Sequence, residues 1–187
     1  MKTRSMWLSM VLVLLSLCIL AFPALGETNP VIDGILSAQA MKNYTDETVS
    51  QGDLDLILAA GAKAPSARNL QPWRFIVVQN EELSARISRN GGTIIIIAGL
   101  KTGEAGMNVD FDCGLAAQNM YLAAQSLGLG ANIAMSPVSS VNAMADTLGI
   151  EDGYEAIMVL TIGHYETDTI SAATPRNEVA DITTFIP

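Results

Sequence analysis

The chain has 187 residues, half of them hydrophobic, with ten basic residues against 19 acidic ones. A net charge of −9 excludes an electrostatic footprint for nucleic acid or for anionic lipid surfaces, and implies mainly solubility. The single histidine, His164, excludes a histidine-built metal cluster and a Ser-His-Asp arrangement, so any chemistry has to come from elsewhere.

The first 26 residues read as a signal peptide. Lys2 and Arg4 form a positive start, Trp7 to Phe22 is uncharged and Leu-rich, and Ala24-Leu25-Gly26 is a small-x-small cleavage signal. An uncleaved membrane anchor is the alternative. Cys18 follows Leu17, not the small residue that a lipidation signal wants. Cleavage leaves residues 27–187, enough for one domain with its own core. That part has eight basic and 19 acidic residues, a net charge of −11. Cys113 alone survives and cannot form an internal disulfide.

Val31 to Ala40 predicts a first helix. Asp53 can cap a second over Leu54 to Ala60, stopping at Gly61. Next come the polar loop Ala64-Pro65-Ser66-Ala67-Arg68-Asn69-Leu70-Gln71-Pro72-Trp73 and a buried strand, Arg74 to Val78. Two prolines fix this loop, and its Asn and Gln offer donors and acceptors at short reach, as a reader of a flat, amide-rich ligand needs. A plain helix-to-strand connection around a core Trp73 is the competing reading. Glu81 to Ser88 predicts a short polar helix. Asn90-Gly91-Gly92 then turns into Thr93 to Ala98, whose four consecutive Ile require a strand buried on both faces.

Phe111 to Leu127 is the longest helical pattern, apolar nearly all round, so it belongs in the middle of a structure or against a symmetry partner. Cys113 within it reads as a small core residue, with a reactive thiol as the alternative. Asp110 and Asp112 suit the dipole at the helix start. Ala131 to Met135 predicts a short strand, Ser140 to Leu148 a helix closed by Gly149, and Ala156 to Ile162 another buried strand. His164 follows that strand in a structural place. The apolar tip Ile182 to Ile186, after a polar linker, suggests an arm that docks on a second subunit. Interleaved helices and strands argue for an α/β or α+β sandwich with a mixed sheet of four or five strands.

The Ala64 to Trp73 loop resembles the signature of the FMN-dependent nitroreductase family. So do Ile35-Leu36-Ser37 through Tyr44-Thr45-Asp46, Asp112 through Gln118-Asn119-Met120-Tyr121-Leu122 to Gly128-Leu129-Gly130, Ile162-Gly163-His164-Tyr165, and Pro175-Arg176. The resemblance spans most of the chain after the leader, and the Ala64 block is its specific part. It implies a homodimeric α+β fold, a nitroreductase-like mixed-sheet sandwich with helices on both faces, and two FMN sites at the dimer interface. It implies that Asn69 pairs with the pyrimidine edge of the flavin, that Pro65 and Ser66 lie along the ring, and that Gln71 sits close by. An Asn amide matches the carbonyl and N–H groups of that edge with one donor and one acceptor.

In the family an Arg, a Ser and a further Arg or Lys at the end of the first helix hold the FMN phosphate. The matching residues here are Ala38, Ala40 and Lys42, so only Lys42 keeps the pattern. Arg176 matches a family basic residue that reaches the same phosphate. The backbone of Ile133-Ala134-Met135-Ser136 matches the donor to flavin N5, and Ser136 before Pro137 reads equally as a helix N-cap. Between Leu100 and Asp110 the helical lid of larger relatives is missing. The implied function is a flavin-dependent oxidoreductase that passes electrons from a reduced donor, NAD(P)H being the candidate, through FMN to an electron-poor small molecule. The leader implies export, with no stable membrane insertion after cleavage. The rival is a degenerate dimer that binds flavin or another ligand without turnover, which the two alanines favour.

Overall fold

A computed structural model describes residues 29–101, 108–167 and 173–186. The expected signal peptide and most of the Leu100 to Asp110 stretch lie outside the described residues. The chain divides into two units, residues 1–33 and 34–187. In the first, Asn29 Oδ1 accepts the N–H groups of Val31 and Ile32 and so starts helix α1 (Pro30–Ser37).

The second unit is built on four strands, β1 (Trp73–Val78), β2 (Thr93–Leu100), β3 (Gly130–Ala134) and β4 (Tyr154–Gly163), in the order β1-β2-β4-β3. The α+β sandwich with helices on both faces is present. All three strand pairings are antiparallel, so the expected mixed pairing is not found within the chain's own sheet. A run of Ile shows that both faces are covered. It carries no information on strand direction, which the connections decide.

Alternation along β2 divides its isoleucines between two cores. Ile95 and Ile97 join Leu54, Ile57 and Met120 from α2 (Gln51–Ala62) and the long α4 (Val109–Ser126). Ile94 and Ile96 join Ile87, Val141 and Leu148 from α3 (Glu81–Ile87), α5 (Val138–Asn142) and α6 (Ala145–Leu148). Trp73 is buried in the first core with its ring parallel to Phe75, centroids 6.3 Å apart. Cys113 is fully buried there too, as a core residue.

Local capping moves several boundaries. Ser50, not Asp53, caps α2: its Oγ accepts Asp53 N–H at 3.1 Å and donates to Asp53 Oδ2 at 2.7 Å. Gly61 lies inside that helix, because a Cβ there would stand 2.6 Å from Met120. The helix read over Ser140 to Leu148 is two helices. Asn142, the last residue of the first, pairs its side-chain amide with the N–H and C=O of Ala156 (2.8 and 3.3 Å), beside the β2–β4 register shift, and the break follows at Ala143–Met144. Pro137 occupies the N-cap of α5 without a side-chain hydrogen bond, so Ser136 does not cap it. Gly149 closes α6 in the left-handed conformation, φ 67°.

The long helix is not apolar all round in its surroundings. Cys113, Ala116, Ala117, Met120 and Ala124 form one buried stripe, while Phe111 is 60% exposed and Gln118 is open. The carboxyl-terminal segment, with the short helix α7 (Val179–Ile182), leaves Val179, Ile182, Phe185 and Ile186 exposed by 67% or more.

Candidate functional site

The residues expected to form a site fall in two groups. The first is the loop between α2 and β1. Ala67–Asn69 forms one 3-10 turn, closed by Asn69 N–H to Ser66 C=O at 3.0 Å and by Leu70 N–H to Ala67 C=O at 3.1 Å. Ser66 Oγ accepts Gln71 N–H at 3.0 Å, and Gln71 Nε2 donates to Asn69 C=O at 3.3 Å. Arg68, Asn69 and Gln71 all have positive φ (54°, 57° and 48°). Three non-glycine residues in that region within four positions store strain, tolerated readily by Asn and less so by Arg and Gln. Such strain collects at sites where side chains must face a ligand. Pro65, Asn69 and Gln71 are exposed and Ser66 is half-buried, so the loop presents an open polar edge over the buried Trp73.

What holds the strained turn is a residue that the sequence reading placed only as a dipole partner. Asp112, in the first turn of α4, is 4% exposed, and both its carboxylate oxygens accept Ala67 N–H, at 3.2 and 3.3 Å. Replacing Arg68 by Gly is expected to be neutral or stabilising by up to ~1 kcal/mol, since glycine takes φ 54° without the Cβ clash. Thermal unfolding measures this, and a clear loss of stability would contradict the strain.

The second group surrounds residues 38–44, which have no regular secondary structure. Lys42 lines two adjoining cavities. One, of about 460 Å³, also has Ala38, Ala40 and Arg176 in its wall. The other, of about 310 Å³, has Arg89, Asn90, Asn132, Ala134 and Ser136. Among the described residues neither lining contains a carboxylate, in a chain with nearly twice as many acidic as basic residues. Lys42 is thus shared by the cavity that holds Arg176 and the cavity that holds Ser136. Arg89 and Asn90 line the latter, residues that the sequence reading passed over as a turn. Their signal was a basic residue just before the Gly91-Gly92 turn into a central strand. Met135 is 67% exposed and lines neither cavity.

The segment is held by its neighbours. Met41 N–H donates to Ala131 C=O at 2.9 Å and Thr45 N–H to His164 C=O at 2.8 Å. Tyr44 Oη donates to Met41 C=O at 2.6 Å, with Thr161 C=O at 3.0 Å. Its ring packs where Gly92 (φ 81°) and Gly163 leave room, since a Cβ on either would approach it to 3.0 Å. Burial, reinforced by Tyr121, raises the Tyr44 phenol far above its ordinary range, so it acts as a neutral tie. Burial raises Tyr121 also, against the opposing pull of Gln125 and Arg176. His164 is half-buried, 3.7 Å from Glu47, in the structural place expected of it.

Burial first, then Asp110 and Asp112, push the Cys113 thiol up to about 12. The thiol stays protonated in the folded chain, so its stabilising contribution is full below pH 9.0 and is lost between there and pH 12, as the unfolded thiol ionises. Cys113 is expected to resist alkylation at pH 8 until the chain unfolds. Rapid labelling of folded protein would contradict this.

The two groups stand at opposite ends of the sheet. Pro72 C=O accepts Leu100 N–H where Leu100 pairs with Tyr154, at the start of β4. Met41 is bonded to Ala131 of β3, which pairs with Ile162, one residue before the end of β4. Ten residues at ~3.3 Å each separate those ends by about 30 Å. One chain therefore does not close the Asn69 loop over Lys42.

The sequence matches the Nitroreductase family over residues 35–90 and 87–164. The chain belongs to this family. Among its relatives is a "Putative NADH dehydrogenase/NAD(P)H nitroreductase" of Archaeoglobus fulgidus, 29% identical over 143 residues, 70% of this chain and 82% of that protein. Among solved structures, a nitroreductase with bound FMN from Desulfitobacterium hafniense superimposes with a TM-score of 0.76 at 22% identity, over 86% of this chain and 100% of that one. A "putative nitroreductase in complex with fmn" from Desulfovibrio desulfuricans gives 0.73 at 28% identity, over 86% and 99%. The nitroreductase match includes both the Asn69 loop and the Lys42 segment.

Proposed function

We propose that this nitroreductase-family chain is a flavin-dependent oxidoreductase that holds FMN between two copies of itself. It passes two electrons from a reduced donor to an electron-poor small molecule. The observation that carries the reading is the pair of adjoining cavities joined at Lys42, with no carboxylate among their described lining residues, together with the strained Asn69 loop that one chain leaves about 30 Å away at the other end of β4. Lys42 and Arg176 would hold the phosphate as cations. Arg89, Asn90 and the backbone around Ala134–Ser136 would face the ring. Asn69 of the partner subunit would pair its amide with the pyrimidine edge, flanked by Pro65, Ser66 and Gln71 of the partner subunit.

FMN when bound supplies the reversible two-electron step, and the protein's part is binding, orientation and electrostatics. The donor loses a hydride equivalent and the acceptor gains two electrons, with protons drawn from solvent. No protein acid is assigned. Relatives named NAD(P)H nitroreductase and FMN-bound neighbours support FMN with NAD(P)H as donor. The homodimer is supported by the open face of α4 around Phe111 and by the apolar arm 179–186. A signal peptide over residues 1–26, a single domain over 27–187 and export to the periplasm or the extracellular space complete the proposal. They rest on the leader pattern alone, and among the described residues no helix is long and apolar enough to cross a membrane. Nicotinamide nucleotides are scarce outside the cytoplasm, so another reduced donor would serve there.

Ala38 and Ala40 favour a second reading, a dimer that binds ligand without turnover. Anaerobic mixing of the FMN-loaded chain with NADH, NADPH or dithionite separates the two. Bleaching of the flavin band by a donor and its return on adding a nitroaromatic acceptor support the enzyme. Bound flavin that dithionite reduces and no acceptor reoxidises supports the second reading.

A further inference from the structure

The long helix α4 carries two polar side chains whose hydrogen bonds leave the helix and end on the two half-sites. Near its start, the buried Asp112 carboxylate accepts Ala67 N–H, the first amide of the turn that contains Asn69. Near its end, Gln125 treats Gln39 as a strand neighbour would. Its Nε2 donates to Gln39 C=O at 2.8 Å, and its Oε1 accepts Gln39 N–H at 3.3 Å. Gln39 stands between Ala38 and Ala40 in the wall of the cavity that Lys42 and Arg176 share. The segment is irregular, and a backbone donor and acceptor left unpaired there would have to be satisfied by water. The helical rise puts the two side chains about 20 Å apart on one rigid element. A carboxylate in a dry core is costly unless its bonds are used, and Gln125, which also bonds the Tyr121 hydroxyl on its own helix, gives both halves of its amide to Gln39.

We propose that Asp112 and Gln125 are positioning residues that fix the two halves of the flavin site to one helix. Asp112 sets the Asn69 loop for the ring, and Gln125 sets the Lys42 segment for the phosphate. The inference rests on the flavin reading above and adds to it a division of labour, from which distinct losses follow. Gln125→Met keeps length and loses the amide. It is expected to weaken FMN about tenfold while riboflavin, which lacks the phosphate, changes by less than about twofold. Asp112→Asn keeps an acceptor for Ala67 N–H and should bind both ligands within about threefold of the parent. Asp112→Leu removes the acceptor, should weaken FMN and riboflavin by the same factor of about ten, and should shift the midpoint potential of the bound flavin.

The experiment is fluorescence titration of the full chain and its three variants with FMN and riboflavin, with the melting temperature of each recorded. Hydrogen exchange of the parent, with and without FMN, covers the case of a variant that does not fold: the amides of Ala67 and Gln39 are expected to gain at least about tenfold protection. Equal loss of both ligands in Gln125→Met, parental binding by Asp112→Leu, or unchanged exchange at both amides overturns the positioning roles. A lower melting temperature of Gln125→Met without the FMN–riboflavin split, or of Asp112→Leu with an unchanged midpoint potential, likewise overturns them, as a merely structural role. A parent chain that binds neither ligand overturns the flavin reading itself, and is seen before any variant is made.

Discussion

Removing residues 179–187 is expected to convert a homodimer into monomers and to empty the flavin site. Val179, Ile182, Phe185 and Ile186 are 72%, 67%, 89% and 91% exposed, an arm of large apolar side chains with no core of its own. Full burial of such a side chain contributes roughly 1.5–3 kcal/mol, so four of them seated on a partner change the dimer constant by several powers of ten. Phe111, 60% exposed on the open face of α4, would offer a second apolar patch to a partner. An interface of this kind is obligate, and a site shared across it depends on protein concentration in the same way. Sedimentation velocity of the full and truncated chains, with flavin absorbance followed in the same cell, reads both effects. A truncated chain that stays dimeric and keeps its flavin would show that the arm plays no part. A monomeric full chain with full flavin occupancy would remove the shared site.

The second large effect falls on Lys42. It lines both cavities, and in the cavity proposed for the phosphate Arg176 is its one cationic companion among the described residues, because Ala38 and Ala40 bring no donor. Arg176 already donates through one guanidinium nitrogen to Thr174 C=O at 2.7 Å, which leaves Lys42 the freer of the two. A hydrogen bond to a charged group contributes ~1.5–3 kcal/mol, so Lys42→Ala should weaken FMN by roughly 10- to 150-fold. Riboflavin should bind the variant and the parent alike, and raising the salt concentration should narrow the FMN difference by screening. Equal loss for FMN and riboflavin would place Lys42 away from the phosphate.

Much of this was legible in the sequence, for identifiable reasons. Four consecutive isoleucines fixed a doubly covered strand, and the Pro-bracketed Asn and Gln loop marked a place where polar groups are held open. Trp73 and Cys113 in the core, and His164 in a structural place, followed from their apolar or strand-end settings. The misses share a cause, which is side chains that bond across long sequence separations. The helix expected over Ser140 to Leu148 breaks just after Asn142, which pairs with Ala156. The first helix stops at Ser37, short of Ala40, and the backbone groups of Gln39 bond to Gln125 instead of continuing it. Asp112 looked like a dipole partner and proved to anchor the signature loop. Strand direction was illegible for another reason: burial on both faces makes antiparallel and parallel strands read alike. Arg89 and Asn90 were hidden because a turn and half of a binding pocket use the same residue types.

The central claim is that two copies of this chain bind FMN at a shared site, and flavin titration followed by visible absorption tests it most directly. Purified protein mixed with FMN and freed of excess should show a shifted, structured flavin band, with one FMN per chain released on denaturation. A spectrum identical to free FMN, with no flavin retained even after a large excess, would contradict the account.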